Sequence, residues 1–277
     1  MKTARKNARR ASALVAKAAG LAWGVRAGVG AGDLAGWRTA LSLATIMLAA
    51  RTGLAGPEGA QVVRGDVSIS RSGNETLIRA GRNSIINYRS FDIAGHESVR
   101  FIQPDANSRV LNRIGGASPT RIDGALTANG RVYIVNPAGV VFGGGARVNV
   151  AGIFAAAGQM SDADFVRGKD RFSLSGSVVN EGSITGSFVG LLGKHAANMG
   201  TIVAPDGAVV MAAGADVYVG QRDGTTYVKV EGAASAPAGR AGAENAGTID
   251  AGRGRAVIAA GDMYSLAVRS TGSVRAR

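Results

Sequence analysis

From residue 60 onward, the apolar residues occur in short runs that are cut by glycine, asparagine and proline. A run ending at Ile114 is followed by Gly115 and Gly116, and the run 132–135 is followed by the turn-forming sequence of residues 136–139. Runs of three to five residues, rich in β-branched side chains, have the length of strands and not of helices. Gly, Asn and Pro supply the positive φ values and reversals that turns need. The pattern predicts many short strands joined by tight turns.

The same reasoning places the other elements along the chain. Strands are predicted at 62–63, 67–69, 76–78, 84–93, 98–103, 111–114, 122–126, 132–135 and 140–142. Turns are predicted at 70–74, 95–96, 129–130, 136–139 and 143–145. Later in the chain we predict a hairpin at 217–230 around Arg222-Asp223-Gly224, a loop of small residues at 233–243, and one short helical turn at 161–165.

A phrase of the form Asn-x-Gly-x-Ile begins at Asn180, Asn198 and Asn245, and the first two copies lie 18 residues apart. Recurrent turn residues at a regular spacing indicate a solenoid. Asn side chains stacked from coil to coil can form a hydrogen-bonded ladder, as they do in cross-β stacks. We therefore predict an all-β fold, a right-handed parallel β-helix (solenoid) with an N-terminal cap and extra-helical hairpins.

The first 55 residues differ from the rest of the chain. Residues 1–38 are basic, and residues 39–50 form an uncharged apolar run of twelve residues. This order is typical of a secretory signal peptide, and twelve residues are too few to span a bilayer, which needs about 20. We predict cleavage after Ala55, or alternatively after Ala50; an amphipathic helix of the folded protein is the other interpretation of the segment. The predicted divisions are a signal peptide at 1–55, the cap and first coils at 56–158, and further coils with a hairpin insertion at 159–277.

The net charge of +13 is unevenly distributed along the chain. Residues 1–55 carry nine Lys and Arg and one acidic residue, whereas residues 56–277 carry 23 basic and 18 acidic residues. Most of the net positive charge therefore lies in the predicted signal peptide, which we call the leader. The arginines in the rest of the chain form no basic cluster interleaved with aromatic residues. We therefore expect no nucleic-acid partner. The 42 glycines suit a fold with many tight turns.

The chain shows no recognisable catalytic or metal-binding set, and we expect neither an enzyme nor a cofactor. It contains no cysteine, which excludes disulfides and thiolate metal sites. The two histidines, His96 and His195, are expected to have ordinary surface or turn roles. Asp162, Asp164 and Asp170 leave calcium open as an alternative, although their spacing does not match an EF-hand loop. A β-helix carbohydrate-active enzyme is the competing functional class, and fold alone does not imply it.

Two short blocks resemble motifs of a known family. The sequence Asn112-Arg113-Ile114-Gly115 is followed, about twenty residues on, by Asn136-Pro137-Ala138-Gly139-Val140. Together they resemble the NRV-Gly and NPNGI blocks of the two-partner-secretion domain found in filamentous haemagglutinin-like exoproteins. Ala138 stands where the family has Asn, and Val140 where it has Ile. The likeness is strongest over residues 60–158.

The resemblance implies both a secretion route and a partner protein. Export across the inner membrane would use the general secretory machinery, followed by recognition in the periplasm by an outer-membrane barrel transporter with periplasmic docking domains. The partner-binding residues would be Asn112, Arg113, Ile114, Gly115, Asn136, Pro137, Gly139 and Val140, which could equally serve to fold the domain. The product would be a secreted or cell-surface adhesin that binds a host or surface glycan or protein. A truncated remnant of a larger adhesin or toxin is an alternative.

Overall fold

The computed structural model describes residues 56–222, 225–234, 240–261 and 267–276. The predicted signal peptide, both cleavage positions, and the Asp223-Gly224 tip of the predicted hairpin lie outside these residues. In chain order the elements are β1 (Gln61–Arg64), β2 (Val67–Ser72), β3 (Glu75–Ala80), β4 (Ser84–Tyr88), β5 (Ser98–Ile102), β6 (Arg109–Ile114), β7 (Thr120–Ile122), β8 (Ala125–Val135), β9 (Val140–Phe142), β10 (Arg147–Ala156), β11 (Gly158–Gln159), α1 (Asp162–Val166), β12 (Asp170–Leu174), β13 (Ser177–Asn180), β14 (Ser183–Thr185), β15 (Phe188–Gly193), β16 (His195–Asn198), β17 (Thr201–Val203), β18 (Ala208–Ala213), β19 (Asp216–Arg222), β20 (Thr225–Glu231), β21 (Ala243–Asn245), β22 (Thr248–Asp250), β23 (Arg255–Ala260), β24 (Val268–Ser270) and β25 (Ser273–Arg275).

Parallel ladders join segments that follow one another along the chain. One large sheet contains the series β4-β6-β8-β10-β14-β17-β22-β25, and a second contains β7-β9-β13-β16-β21-β24. Within the large sheet, Ser183, Thr201, Thr248 and Ser273 are paired in register in four successive strands. The predicted all-β class is confirmed, and the parallel pairing agrees with the predicted architecture. The right-handed solenoid itself, and the division at residue 158, stay predictions.

Antiparallel strands begin the described part of the chain. Strand β1 pairs antiparallel with β4, and β2 pairs antiparallel with β3, which then joins the parallel ladder through β5. An antiparallel cover of this kind would suit the predicted N-terminal cap, because the first coil of a parallel stack otherwise leaves unpaired backbone groups at its edge. The cap itself stays a prediction.

The prediction of a turn at Asn129-Gly130 is wrong. Strand β8 continues through both residues and pairs first with β5 and then with β6. The Asn129 side chain accepts a hydrogen bond from the Gln103 main-chain nitrogen (2.8 Å) and donates one to its carbonyl oxygen (2.7 Å), replacing ladder bonds where the strand changes partner. The strand predicted at 122–126 is instead broken at Asp123 and Gly124, between β7 and β8.

The Asn-x-Gly-x-Ile phrases form the predicted ladder. Asn180, Asn198 and Asn245 are fully buried and paired in register. The Asn180 Nδ2 donates to the Asn198 Oδ1 (2.8 Å), and the Asn198 Nδ2 donates to the Asn245 Oδ1 (2.8 Å). A column of glycines runs beside the ladder, and a Cβ at any of its later members would collide with the carbonyl group of the preceding turn. Its members are Gly143, Gly182, Gly200, Gly247 and Gly272.

Two apolar clusters lie on opposite faces of the same strands. The inner cluster is mainly aliphatic and includes Ile134 of β8 and Ile153 of β10. The outer cluster is built around aromatic residues, and the neighbouring residues Tyr133 and Phe154 belong to it. Alternation of side chains along a strand explains the split. The aromatic members of the outer cluster are Tyr133, Phe154, Phe165, Phe172 and Phe188.

A four-stranded antiparallel sheet, ordered β11-β12-β19-β20, covers the outer cluster together with α1. Strands β19 and β20 confirm the hairpin predicted at 217–230. The helical turn predicted at 161–165 is also confirmed, since α1 begins after Ser161, whose side chain accepts a hydrogen bond from the Asp164 main-chain nitrogen. Among the described residues, no helix has both the length and the apolar character needed to cross a membrane.

Candidate partner-recognition site

The first block lies at the end of β6. Asn112 is fully buried, and its Nδ2 donates to the Tyr133 carbonyl oxygen (3.1 Å). Its Oδ1 has no hydrogen-bond partner among the described residues. Ile114 is buried in the inner cluster, whereas Gly115 is exposed and its main-chain nitrogen donates to the Tyr88 carbonyl oxygen (3.0 Å). Asn112 and Ile114 are therefore held inside the fold, and Gly115 is accessible.

Arg113, between these buried residues, points outward and connects two parts of the chain. Its guanidinium donates to the Met160 carbonyl oxygen (2.9 Å) and to the Asp162 carboxylate. A longer hydrogen bond reaches the Asn87 Oδ1 (3.4 Å). The side chain is 28% exposed. Arg113 thus fastens the segment that leads into α1 to strands β4 and β6, and part of its side chain remains exposed.

The second block is a tight turn fixed by its first residue. Asn136 is fully buried, and its Nδ2 donates to the Ser118 carbonyl oxygen (3.0 Å) and the Thr120 Oγ1 (3.1 Å). Its Oδ1 accepts from the Ala138 main-chain nitrogen (2.9 Å), which closes the turn through the side chain. Both ends of the Asn136 amide are therefore occupied within the chain.

The end of this turn requires glycine. Gly139 has φ +127°, and a Cβ there would lie 3.1 Å from the Ser177 carbonyl oxygen. Val140 is buried in the inner cluster, and Pro137 and Ala138 are partly exposed. The turn therefore presents Pro137 and Ala138 outward, while Asn136, Gly139 and Val140 face the interior.

The two blocks meet at one groove. Arg113 and Val135 are paired in register, so the chain enters the second block directly beside Ile114. Between them lies a groove of about 640 Å³, the inter-block groove, with residues 158–162 forming its far wall. The groove is lined by Asn87, Tyr88, Arg113, Ile114, Gly115, Pro137, Gly158, Gln159, Met160, Ser161 and Asp162.

Sequence reasoning did not find the far wall of this groove. Met160 is 47 residues from Arg113, and nothing in the local sequence marks its carbonyl oxygen as an acceptor. The one local signal was the short helical turn at 161–165, which places Asp162 near the start of α1. That position brings its carboxylate to the Arg113 guanidinium.

The three acidic residues considered for calcium have separate partners. Asp162 binds Arg113, Asp164 accepts from the Ser161 hydroxyl (2.8 Å), and Asp170 accepts from the Tyr133 hydroxyl (2.9 Å). Burial raises the pKa of the Asp170 carboxyl, and the Tyr133 hydrogen bond and two arginines act in the opposite direction. The described part of the chain contains no group of three or more His, Cys, Asp or Glu residues suited to a metal ion.

The structure corrects the prediction for His195. Whereas His96 lies exposed in a turn as expected, His195 is 3% exposed and belongs to β16. Its Nδ1 lies 2.9 Å from the Ala241 carbonyl oxygen. His195 is therefore a buried structural residue, because the ladder continues through its position and the chain around 241 covers it.

Comparison with known proteins identifies the class to which this fold belongs. Residues 55–277 match the family model described as the TPS secretion domain, where TPS denotes two-partner secretion. The chain therefore belongs to the TPS secretion-domain family, and the recognition made from the two blocks is confirmed. Members of this family are domains of secreted exoproteins, and the match gives no indication of enzymatic activity.

Individual relatives add detail. The crystal structure of the HMW1 secretion domain from Haemophilus influenzae aligns with TM-score 0.69 and 28% identity, covering 79% of this chain and 58% of that one. A heme/hemopexin-binding protein from Haemophilus influenzae (strain ATCC 51907 / DSM 11121 / KW20 / Rd) is 46% identical over 100 residues, and a second from Haemophilus influenzae is 39% identical over 101 residues. Each alignment covers 36% of this chain and 11% of the relative, so the chain spans a small part of these proteins.

Proposed function

We propose that this chain directs secretion of an exoprotein through a dedicated outer-membrane barrel transporter with periplasmic docking domains. The family match over residues 55–277 carries the proposal. In the proposed route, the general secretory machinery recognises the leader and delivers the chain to the periplasm. The docking domains of the barrel bind it there, and the chain crosses the outer membrane to the cell surface or the medium.

Folding outside the cell would make transport through the barrel unidirectional. We propose that the chain completes a right-handed parallel solenoid there, one coil after another. Each new coil buries side chains such as Ile184, Ile202 and Ile249, which are fully buried in the folded chain. Burial of apolar surface contributes about 25 cal/mol per Å². A coil that has formed therefore opposes return through the barrel, and no ATP is needed at the outer membrane.

The burial of the two blocks suggests how their roles are divided. Asn112, Ile114, Asn136, Gly139 and Val140 are buried, and we assign them to folding. Arg113, Gly115 and Pro137 line the inter-block groove, and we assign contact with the docking domains to them. In this assignment the buried residues shape the groove, and the docking domains contact its rim.

A secretion assay with and without the barrel tests the proposal. The full chain would be expressed in a Gram-negative host together with a candidate barrel transporter encoded beside its gene. We expect the chain in the medium only when the barrel is present, and accumulation or degradation in the periplasm otherwise. Equal secretion in both strains would refute the proposal.

A pair of arginine variants tests the groove within the same assay. Arg113→Gln should reduce the secreted fraction several-fold, because it removes a charge at the groove together with the bonds to Met160 and Asp162 that hold the far wall of the groove. Arg100→Gln removes the same charge from an exposed position on β5 and should have no effect. If the two variants behave alike, the docking domains do not contact Arg113.

The relatives suggest a binding role for the mature exoprotein. Two of them are named heme/hemopexin-binding proteins, and a non-catalytic surface-binding or adhesin role is the corresponding proposal for the protein that contains this chain. A carbohydrate-active enzyme is the alternative. A glycan and host-protein binding screen, run beside an assay for release of reducing sugar, separates the two: binding without release supports the adhesin role, and release supports the enzyme.

A further inference from the structure

A second, more polar pocket lies where the hairpin strand β19 meets β6 and β8. Its volume is about 310 Å³, which is within the range of small-molecule sites. We call it the Arg131 pocket. Its polar and aromatic lining residues are Asn107, Arg109, Arg131, Tyr133, Asp170 and Tyr218. The blocks of the secretion motif contribute no residue to it.

Two arginines lie side by side in this pocket. Arg109 and Arg131 are paired in register on β6 and β8. Arg109 is fixed, because its Nε and Nη2 donate to the Asn83 Oδ1 (3.1 and 2.8 Å) and its guanidinium lies 5.0 Å from the centre of the Phe165 ring. The Arg131 guanidinium makes no hydrogen bond or ion pair with any other residue that the structure describes.

The acidic residue of the pocket does not neutralise both arginines. Asp170 is partly buried and accepts a hydrogen bond from the Tyr133 hydroxyl (2.9 Å). With two guanidinium groups and one carboxyl, the pocket has a net positive charge. Planar guanidinium groups bind carboxylates through paired hydrogen bonds, which makes a second, external carboxylate the complementary ligand.

An exposed aromatic ring stands at the edge of the pocket. Tyr218 is 42% exposed, and its ring lies over Gly220, where a Cβ would be 3.2 Å from the tyrosine ring. The glycine leaves space for the ring to lie along β19. A tyrosine held in this way offers an apolar face and a polar hydroxyl group. The C–H face of a sugar ring packs on such a surface. The exposed Asn107, which also lines the pocket, can bind sugar hydroxyl groups through its amide.

We propose that the Arg131 pocket binds a carboxylate-bearing sugar, such as a uronic acid unit of a polysaccharide. The carboxylate contacts Arg131 and Arg109, and the sugar ring packs against Tyr218. An acidic peptide is the competing ligand class. The single aromatic platform beside one small polar pocket favours a sugar ring, since a peptide needs further apolar pockets or a free strand edge for its neighbouring side chains.

Calorimetric titration of the purified full chain tests the proposal with two matched probes, the trimer of galacturonic acid and the uncharged trimer of galactose. We expect the acidic trimer to bind at least about tenfold more tightly, because a charge-assisted hydrogen bond is worth more than a neutral one. Arg131→Gln should weaken binding about tenfold or more, Arg131→Lys less, and Tyr218→Ala several-fold. Arg100→Gln is the matched control and should leave the affinity unchanged.

Three results would overturn the proposal. The first is equal binding of the charged and uncharged trimers, or binding of neither. The second is unchanged affinity in Arg131→Gln, whose unfolding temperature should match that of the wild type. The third is tighter binding of a tetraglutamate peptide or a sulfated dextran fragment than of the acidic trimer, which would assign the pocket to a different ligand class.

Discussion

The inner and outer apolar clusters are built on the same strands by different means. In the inner cluster, residues of similar type follow one another from strand to strand, as Ile184, Ile202 and Ile249 do in register. In the outer cluster, unlike residues meet once, as Tyr133 does with Phe165, with ring centres 5.3 Å apart. The stacked parallel strands are thus stabilised by similar contacts that recur from strand to strand. The four-stranded sheet β11-β12-β19-β20 is held by a few contacts that do not recur.

This difference predicts how far the effect of a substitution should extend through the fold. Loss of one asparagine from the buried Asn ladder leaves equivalent contacts in the other coils, but it interrupts the chain of hydrogen bonds that connects one coil to the next. Removal of one aromatic ring from the outer cluster has no equivalent to compensate for it. We therefore expect loss of an aromatic ring to loosen the four-stranded sheet β11-β12-β19-β20 first, and loss of a ladder asparagine to weaken the stack of coils. Phe154→Ala and Asn198→Ala test this contrast directly, and Asn136→Ala and Ala138→Asn extend it to the turn of the second block.

The largest effect is expected for Phe154→Ala. Phe154 packs against Tyr133, Phe172 and Phe188, with ring centres 4.8, 5.5 and 4.6 Å away. Loss of a buried Phe side chain costs about 3–5 kcal/mol of unfolding free energy. Denaturant unfolding measures the loss, and hydrogen exchange should show faster exchange in β12 and β19 than in β14 and β17. Faster exchange in all four strands would show that the two clusters are not separate.

A slightly smaller effect is expected for Asn198→Ala. The substitution removes the middle of the ladder. The buried Asn245 Oδ1 loses its donor, and the buried Asn180 Nδ2 keeps only its longer bond to the Gly182 carbonyl oxygen (3.3 Å). Unsatisfied buried polar groups cost about 1–3 kcal/mol each, so we expect a loss of about 3 kcal/mol in chemical denaturation. The neighbouring Met199→Ala is the control, since Met199 is 41% exposed. Equal losses for both variants would mean that the ladder contributes no stability.

Asn136→Ala tests a buried asparagine that has no ladder partner. It removes the bonds to Ser118, Thr120 and Ala138, and we expect a loss of about 2 kcal/mol and a reduced secreted fraction. The secretion assay and denaturant unfolding of the purified variant measure the two effects. Normal secretion of the variant would contradict the role proposed for this turn.

The smallest effect is expected for Ala138→Asn, which restores the family residue. Ala138 is partly exposed and contributes its main-chain nitrogen, not its side chain, to the turn. Unfolding free energy should change by less than about 0.5 kcal/mol, and secretion should be unchanged or improved. A clear drop in secretion would indicate that the docking domains require the small side chain at this position.

The same contrast explains what the sequence could predict. The Asn-x-Gly-x-Ile phrases gave the ladder correctly, even though 47 residues separate Asn198 from Asn245, because repetition is visible within a single sequence. The turn of residues 136–139 was also predicted, since Asn, Pro and Gly encode it locally. The continuation of β8 through Asn129 was not, because the side-chain bonds to Gln103 that make it possible come from a distant strand.

The site was predictable to a similar degree. Both blocks were found from their own residues, but the groove between them depends on Met160 and Asp162, which no local pattern connects to Arg113. The Arg131 pocket was missed altogether. Its arginines look like scattered surface charges in the sequence, and only the pairing of β6 with β8 places them together.

The glycine column also bears on how such a chain can evolve in length. Gly182 and Gly200 occupy equivalent places 18 residues apart, and each lies against the carbonyl oxygen of the column glycine in the preceding turn. If the upper and lower surfaces of a coil match, an in-frame duplication of that coil leaves every interface unchanged. The coils above and below would then contact the new copy as they contacted the original one. Gene duplication could therefore lengthen the stack by whole units, whereas a replacement of the glycine in any one of them would be selected against.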